Sequence, residues 1–246
     1  DNLPKNDGGH LVTTLDFYLQ YAAQKHLKNC VDSTQALKGQ VIVMDPTTGE
    51  VLAMANYPDF NPNAWTQSPD HTRKNNCVTD MYEPGSTFKL ITLSGVIDNG
   101  IAKPTSTLIV PETIEIKNRT IREAHHREAG EGSVKTVSEV LEKSLNVGTS
   151  LLALKLGKEK FVSTLKAFGI GHTTGIELPG EAPGLVRSTS NWTELDTAMS
   201  SFGQGIAVTP IQLAAAVGAI ANKGELLKPR IIQYSTDHED MVIKAS

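Results

Sequence analysis

The sequence predicts a mixed α/β (α+β) domain with a helical half. Near the front, two almost wholly apolar runs, Gln40–Met44 and Glu50–Met54, flank Asp45-Pro46-Thr47-Thr48-Gly49, which is a β-hairpin pattern with a five-residue turn. Further on, apolar side chains recur at helical spacing through Ser86–Asp98, Val134–Ser144, Asn146–Leu156, Glu159–Phe168 and Pro210–Ala221. The 246 residues are 39% hydrophobic and 20% charged, with no internal repeat and no low-complexity tract, so the chain can form one large globular domain or two small ones.

Taken in order, Leu11–Leu15 predicts a short strand. Asp16 then caps a helix with apolar positions Tyr18, Leu19, Ala22, Ala23, His26 and Leu27. Both hairpin runs are apolar enough to expect cover on both faces. Asn56–Asn76 is a polar loop holding Pro58, Pro62 and Pro69. Leu90, Ile91, Leu93, Val96 and Ile97 give the Ser86–Asp98 helix apolar surface on several sides, the mark of a buried helix. Thr107–Asn118 reads as an exposed strand pair, and two helical patterns meet at Ser144-Leu145-Asn146. Gly169–Arg187 is a Gly/Pro-rich excursion, and the Ala-rich run Ile211–Ala221 suits a helix buried in a core.

Composition excludes several function classes. The formal net charge of −4 and the scattered basic side chains argue against a nucleic-acid partner. No stretch approaches the roughly 18 apolar residues of a membrane span, and no signal peptide is visible. The start, Asp1-Asn2-Leu3-Pro4, is what a segment cut from a longer protein would show, with residues 1–10 as a linker. Cys30 and Cys77 allow one disulfide, which the sequence leaves open. His125-His126, flanked by Arg122, Glu123, Arg127 and Glu128, reads as a solvated loop and not as a metal site.

The densest chemical signal is Ser86-Thr87-Phe88-Lys89, just after Glu83-Pro84-Gly85. A serine hydroxyl needs a base beside it to attack at neutral pH. Positions i and i+3 share a helix face, so Lys89 would lie over Ser86, and burial would favour its neutral form. A helix starting at Pro84-Gly85 puts Ser86 in the first turn, where backbone N–H groups are free to stabilise an oxyanion. The spacing alone proves little, since Ser163-Thr164-Leu165-Lys166 repeats it. That copy has no turn before it and reads as an ordinary helix face. Ser144-Leu145-Asn146 places a hydroxyl and an amide at a helix break, able to relay a proton and to hold a substrate carbonyl. The alternative is that Ser144 ends one helix and Asn146 caps the next.

Ser86-x-x-Lys89 followed by Ser144-x-Asn146 is the ordered pair of penicillin-binding proteins and serine β-lactamases. Glu83–Lys89, the hairpin Met44–Met54, Leu178-Pro179-Gly180-Glu181, and Ser201-Phe202-Gly203-Gln204-Gly205 continuing through Thr209–Leu213 all resemble class B penicillin-binding proteins. The resemblance runs from about Gly9 to Ile232. It implies the penicilloyl-serine transferase fold, an antiparallel sheet flanked by helices plus an all-helical lobe, in which residues 1–246 form part of a transpeptidase domain. The hairpin would supply two sheet strands, and Ser144 and Asn146 would face Ser86 across a cleft. Ser86 would be the nucleophile, Lys89 the base, Ser144 the proton relay, and Asn146 a substrate-binding residue.

The implied activity is peptidoglycan D,D-transpeptidation of D-Ala-D-Ala stem peptides without metal or organic cofactor, with β-lactam antibiotics acylating Ser86. The implied setting is the periplasmic side of the bacterial inner membrane, among cell-wall synthesis or divisome membrane proteins reached through an absent N-terminal region. The run Val78–Glu83 leans toward the septal over the elongation type. One motif departs from the family: Lys-Thr-Gly is missing, because Thr47-Thr48-Gly49 and Thr173-Thr174-Gly175 lack the lysine. The expectation is therefore a chain that stops before that motif and its three sheet strands, inactive and weakly stable by itself. Two rivals stay open. A serine β-lactamase would need a water-activating group that the sequence does not locate, and a non-catalytic penicillin-binding sensor or scaffold would keep Ser86 without turnover.

Overall fold

A computed structural model describes residues 8–124, 133–237 and 241–245, and divides the chain into two compact units. His125 and His126 lie outside the described residues. The first unit comprises residues 1–79, 174–181 and 227–246, and the second residues 80–173 and 182–226.

In the first unit, β1 (Leu11–Thr13) leads into α1 (Phe17–Thr34), whose N-cap Asp16 accepts the Leu19 N–H as expected. The hairpin is β2 (Gly39–Met44) paired antiparallel with β3 (Val51–Tyr57). Asp45 closes its turn by accepting both the N–H and the hydroxyl of Thr47 at 2.7 Å. Ala23, Leu27 and Val31 of α1 pack on Val41, Val43, Ala53 and Ala55, one face of the hairpin. Ala23 and Leu27 of the expected stripe are buried and Val31 extends it, whereas Leu19 and His26 are exposed and Tyr18 is 80% exposed. The hairpin is also less enclosed than expected. Val51, Ala53 and Ala55 are buried, while the alternate positions of β3 and all of β2 are half-buried.

The first unit also holds two strands that the local sequence pattern does not predict. β8 (Ile232–Thr236) pairs with β1, and β9 (Val242–Ala245) with β8. Backbone bonds from Val51 to Arg230 and from Asp16 to Leu52 tie this sheet to β3. The loop after β3 contains two 3₁₀ turns (Pro62–Gln67, Asp70–Arg73) and the single-turn α2 (Asn76–Thr79). No disulfide joins Cys30, which is exposed, to Cys77, which is buried.

The second unit is built round α3 (Lys89–Asp98), entered through a 3₁₀ turn at Gly85–Phe88. Ile91, Leu93 and Val96 are buried, whereas Ile97 is 42% exposed. Around α3 pack α4 (Val137–Glu142), α5 (Asn146–Leu156), α6 (Lys158–Ala167) and α8 (Pro210–Ala221), with α7 (Glu194–Ser201) against α5. At Gly95 a Cβ would come within 2.6 Å of the Thr164 hydroxyl, so α3 and α6 can approach this closely only through a glycine.

The expected pairing within Thr107–Asn118 is replaced by two ladders. β4 (Thr107–Val110) joins β7 (Ser133–Thr136), and β5 (Thr113–Ile116) joins β6 (Arg119–Arg122). The first residues of the predicted Val134–Ser144 helix are thus strand, and the helix starts only where Thr136 and Glu139 form a capping box. The Gly169–Arg187 excursion has no helix and no extended ladder. Gln212 of α8 holds it by donating to the His172 and Pro183 carbonyls at 2.5 and 2.8 Å.

Candidate active site

Ser86, Lys89, Ser144 and Asn146 all belong to the second unit. Ser86 lies in the 3₁₀ turn that precedes α3, and side chains at i and i+3 eclipse in that geometry, so Ser86 and Lys89 stack on one face. Ser86 is exposed and Lys89 fully buried. Among the described residues the Ser86 hydroxyl makes no hydrogen bond. The turn itself is clamped. Gly85 donates to the Gly203 carbonyl at 3.1 Å, Glu83 accepts the Gly205 N–H at 2.8 Å, and Thr87 donates its hydroxyl to the Pro84 carbonyl at 2.7 Å. Gly203 has φ +77°, and a Cβ on it would collide with the Gly85 backbone.

The Lys89 amine donates to three oxygens: the Ser144 carbonyl at 2.5 Å, the Ser144 hydroxyl at 3.1 Å and the Asn146 Oδ1 at 2.7 Å. An ammonium has three donors, and each finds an acceptor. The break between α4 and α5 makes this possible. Ser144 has φ +51°, a left-handed conformation that costs a non-glycine residue about 1–3 kcal/mol and clusters at functional positions. The chain there turns sharply enough to present both Ser144 oxygens and the Asn146 amide to one amine. Neither residue caps α5 with its side chain, because the N-cap position belongs to Leu145.

Burial disfavours the charged amine and lowers the Lys89 pKa to about 8, while the Glu123 carboxylate pulls it back up. In the sequence, Glu123 stands out only as a charged neighbour of the histidines. Its Oε2 accepts the Asn146 N–H at 2.5 Å and its Oε1 the Val147 N–H at 3.2 Å. The available signal was Leu145. A helix whose N-cap position lacks a side-chain acceptor needs one from elsewhere in the chain.

The second Ser-x-x-Lys copy falls on α6 with Ser163 and Lys166 both exposed. No group of three or more His, Cys, Asp or Glu side chains able to hold a metal occurs among the described residues, and no helix among them is long and apolar enough to cross a membrane.

Residues 39–246 match the family described as penicillin binding protein transpeptidase domain. The chain is 35% identical over 228 residues to the penicillin-binding protein PbpB of Mycolicibacterium smegmatis, covering 92% of this chain and 35% of that protein. It is 36% identical over 215 residues to the peptidoglycan D,D-transpeptidase FtsI of Escherichia coli K12, covering 87% of this chain and 36% of that one. The chain thus spans about a third of the length of these relatives. Among solved structures, penicillin binding protein 3 of Mycobacterium tuberculosis complexed with aztreonam superposes with a TM-score of 0.89 at 33% identity, over 97% of this chain and 53% of that one.

Proposed function

The chain belongs to the penicillin-binding protein transpeptidase family, and on that premise we propose that it carries the acyl-transfer chemistry of a peptidoglycan D,D-transpeptidase. Ser86 attacks the carbonyl carbon between the two D-alanines of a stem peptide while neutral Lys89 takes the hydroxyl proton. The Ser86 N–H, ahead of the first intrahelical acceptor, donates to the oxyanion. As the C–N bond breaks, Ser144 passes the proton to the departing D-alanine amine, and Asn146 orients the donor peptide. An amine from a second stem then attacks the ester, forms the cross-link and frees Ser86. A β-lactam offers the same bond and leaves a stable ester.

The observation that carries this reading is the state of Lys89: fully buried, one helical turn from an exposed serine, and held by Ser144 and Asn146. With a pKa of about 8, roughly one amine in ten is neutral at pH 7, against about one in three thousand at the ordinary value. When Lys89 loses its proton, the Ser144 hydroxyl can turn from acceptor to donor, which links the base to the relay. The names of FtsI and of the aztreonam complex support the substrate and the inhibitor class. In this reading residues 1–246 are part of one transpeptidase domain, with 1–10 as linker. The protein acts at the periplasmic face of the bacterial inner membrane, beside other cell-wall synthesis or divisome proteins.

Incubation of the full-length protein, of which residues 1–246 are a part in this reading, with a fluorescent penicillin, followed by peptide mapping, tests the proposal. The expected result is one long-lived adduct on Ser86, abolished in Ser86→Ala. Labelling that survives Ser86→Ala removes Ser86 from the role, and rapid turnover of the penicillin replaces the transferase with a β-lactamase.

A further inference from the structure

The α5 helix begins without a capping side chain of its own, since Leu145 occupies the N-cap position. Glu123, immediately after β6, supplies the missing acceptor with both carboxylate oxygens, one to each of the first two N–H groups of the helix. A carboxylate at that end also meets the positive pole of the helix dipole. The residue beside it acts on the same target, for the Arg122 carbonyl accepts the Asn146 Nδ2 at 3.2 Å. Asn146 is therefore held through its backbone N–H and its side-chain NH₂, which turns its Oδ1 to Lys89 at 2.7 Å. The amide orientation follows from two consecutive residues at the end of one β-strand.

We propose that Glu123 is a positioning residue of the acyl-transfer site, anchoring the start of α5 so that Asn146 and Ser144 stay seated on the Lys89 amine. This deepens, and rests on, the transpeptidase reading above. Glu123 acts on Lys89 in two ways: mechanically through Asn146, and electrostatically by opposing the desolvation of the buried amine. The other charges on α3 and on the elements packed against it are Asp98 on α3, Glu139 and Glu142 on α4, Lys155 on α5, and Lys158, Glu159, Lys160 and Lys166 on α6. The α8 helix carries none. On the β5–β6 ladder the charges are Glu115, Arg119 and Arg122, with Lys117 at its turn. Among the described residues, Glu123 is the charge that opposes the effect of burial on Lys89.

A residue that merely stiffened the fold would lower activity without changing the proton affinity of Lys89. The test is a titration of the intact protein carrying ¹³Cε-labelled lysine, with the Lys89 signal identified by Lys89→Arg. The pH profile of penicillin acylation is measured alongside. In Glu123→Gln the Lys89 midpoint is expected to move about half to one pH lower, with a plateau acylation rate down by about tenfold. Glu123→Asp keeps the charge but shortens the arm, so the midpoint should stay near wild type while the plateau falls by about threefold or more. An unchanged Lys89 midpoint in Glu123→Gln overturns the proposal. If Glu123→Gln fails to fold, a wild-type plateau in Glu123→Asp overturns it alone. The labelled-lysine titration does not depend on acyl transfer, so failure of the Ser86 assignment would appear separately, as wild-type protein that penicillin does not label.

Discussion

Ser86-x-x-Lys89 and Ser163-x-x-Lys166 share residue types, spacing and compact unit, yet they meet opposite environments. On α6 both side chains reach solvent, and Lys166 sits in the last turn, where a cation complements the helix dipole. On α3 the lysine is fully buried and its amine is shared among three oxygens from a strained helix break. One pattern is a solvated helix surface, and the other sets an exposed hydroxyl beside a desolvated amine, the pair we propose as nucleophile and base. Spacing aligns the two groups in both cases. The difference is what surrounds the amine, because desolvation brings the Lys89 pKa to about 8.

Exchanging the chemistry of the two copies should break the symmetry most visibly. Lys89→Ala should lower the rate of penicillin acylation by about 10²–10⁴-fold, the usual loss on removing a general base, while Lys166→Ala stays within about twofold. Stopped-flow labelling of both variants checks this. Equal effects would mean that burial is not what separates the copies.

The pH dependence sharpens the contrast. If Lys89 works as a neutral base, acylation should fall about tenfold per pH unit below its pKa of about 8 and level off above it. The sign for stability follows from the same displacement. Folding lowers the lysine pKa, so the folded chain binds fewer protons than the unfolded one between about pH 8 and 10.5, and this group's contribution to stability rises with pH across that window. A rate that is flat from pH 6 to 9 would exclude the buried amine as base.

A smaller effect separates the supports of the two helices. Gly203 combines a positive φ with direct backbone contact on Gly85, so Gly203→Ala should cost about 2–4 kcal/mol and displace the turn that carries Ser86. Urea denaturation and the acylation rate should both register it. The α6 copy has no such clamp, and Ser163→Ala should change stability by less than about 0.5 kcal/mol.

Much of the framework could be read in the chain. The hairpin, the Asp16 cap, α5 and α8 follow from apolar periodicity and end signals that act over a few residues. The errors arose where pairing is non-local. Thr107–Val110 found Ser133–Thr136 in place of the nearer strand, and Ile232–Thr236 became a strand by joining Leu11–Thr13 from the far end of the chain. Strand pairing of this kind depends on which edges the fold brings together, and no local pattern encodes that.

The sequence by itself determined the family, the two Ser-containing motifs and their order, because those are matters of residue type and short spacing. Only the tertiary structure decided that three oxygens of Ser144 and Asn146 meet the buried Lys89 amine, that Ser144 takes a left-handed turn to reach it, and that Glu123 closes the end of α5. The physical reason is range. Periodicity and capping act within about one helical turn, whereas desolvation and the reach of Glu123 to Asn146 come from residues far apart in the chain that meet only after it has folded.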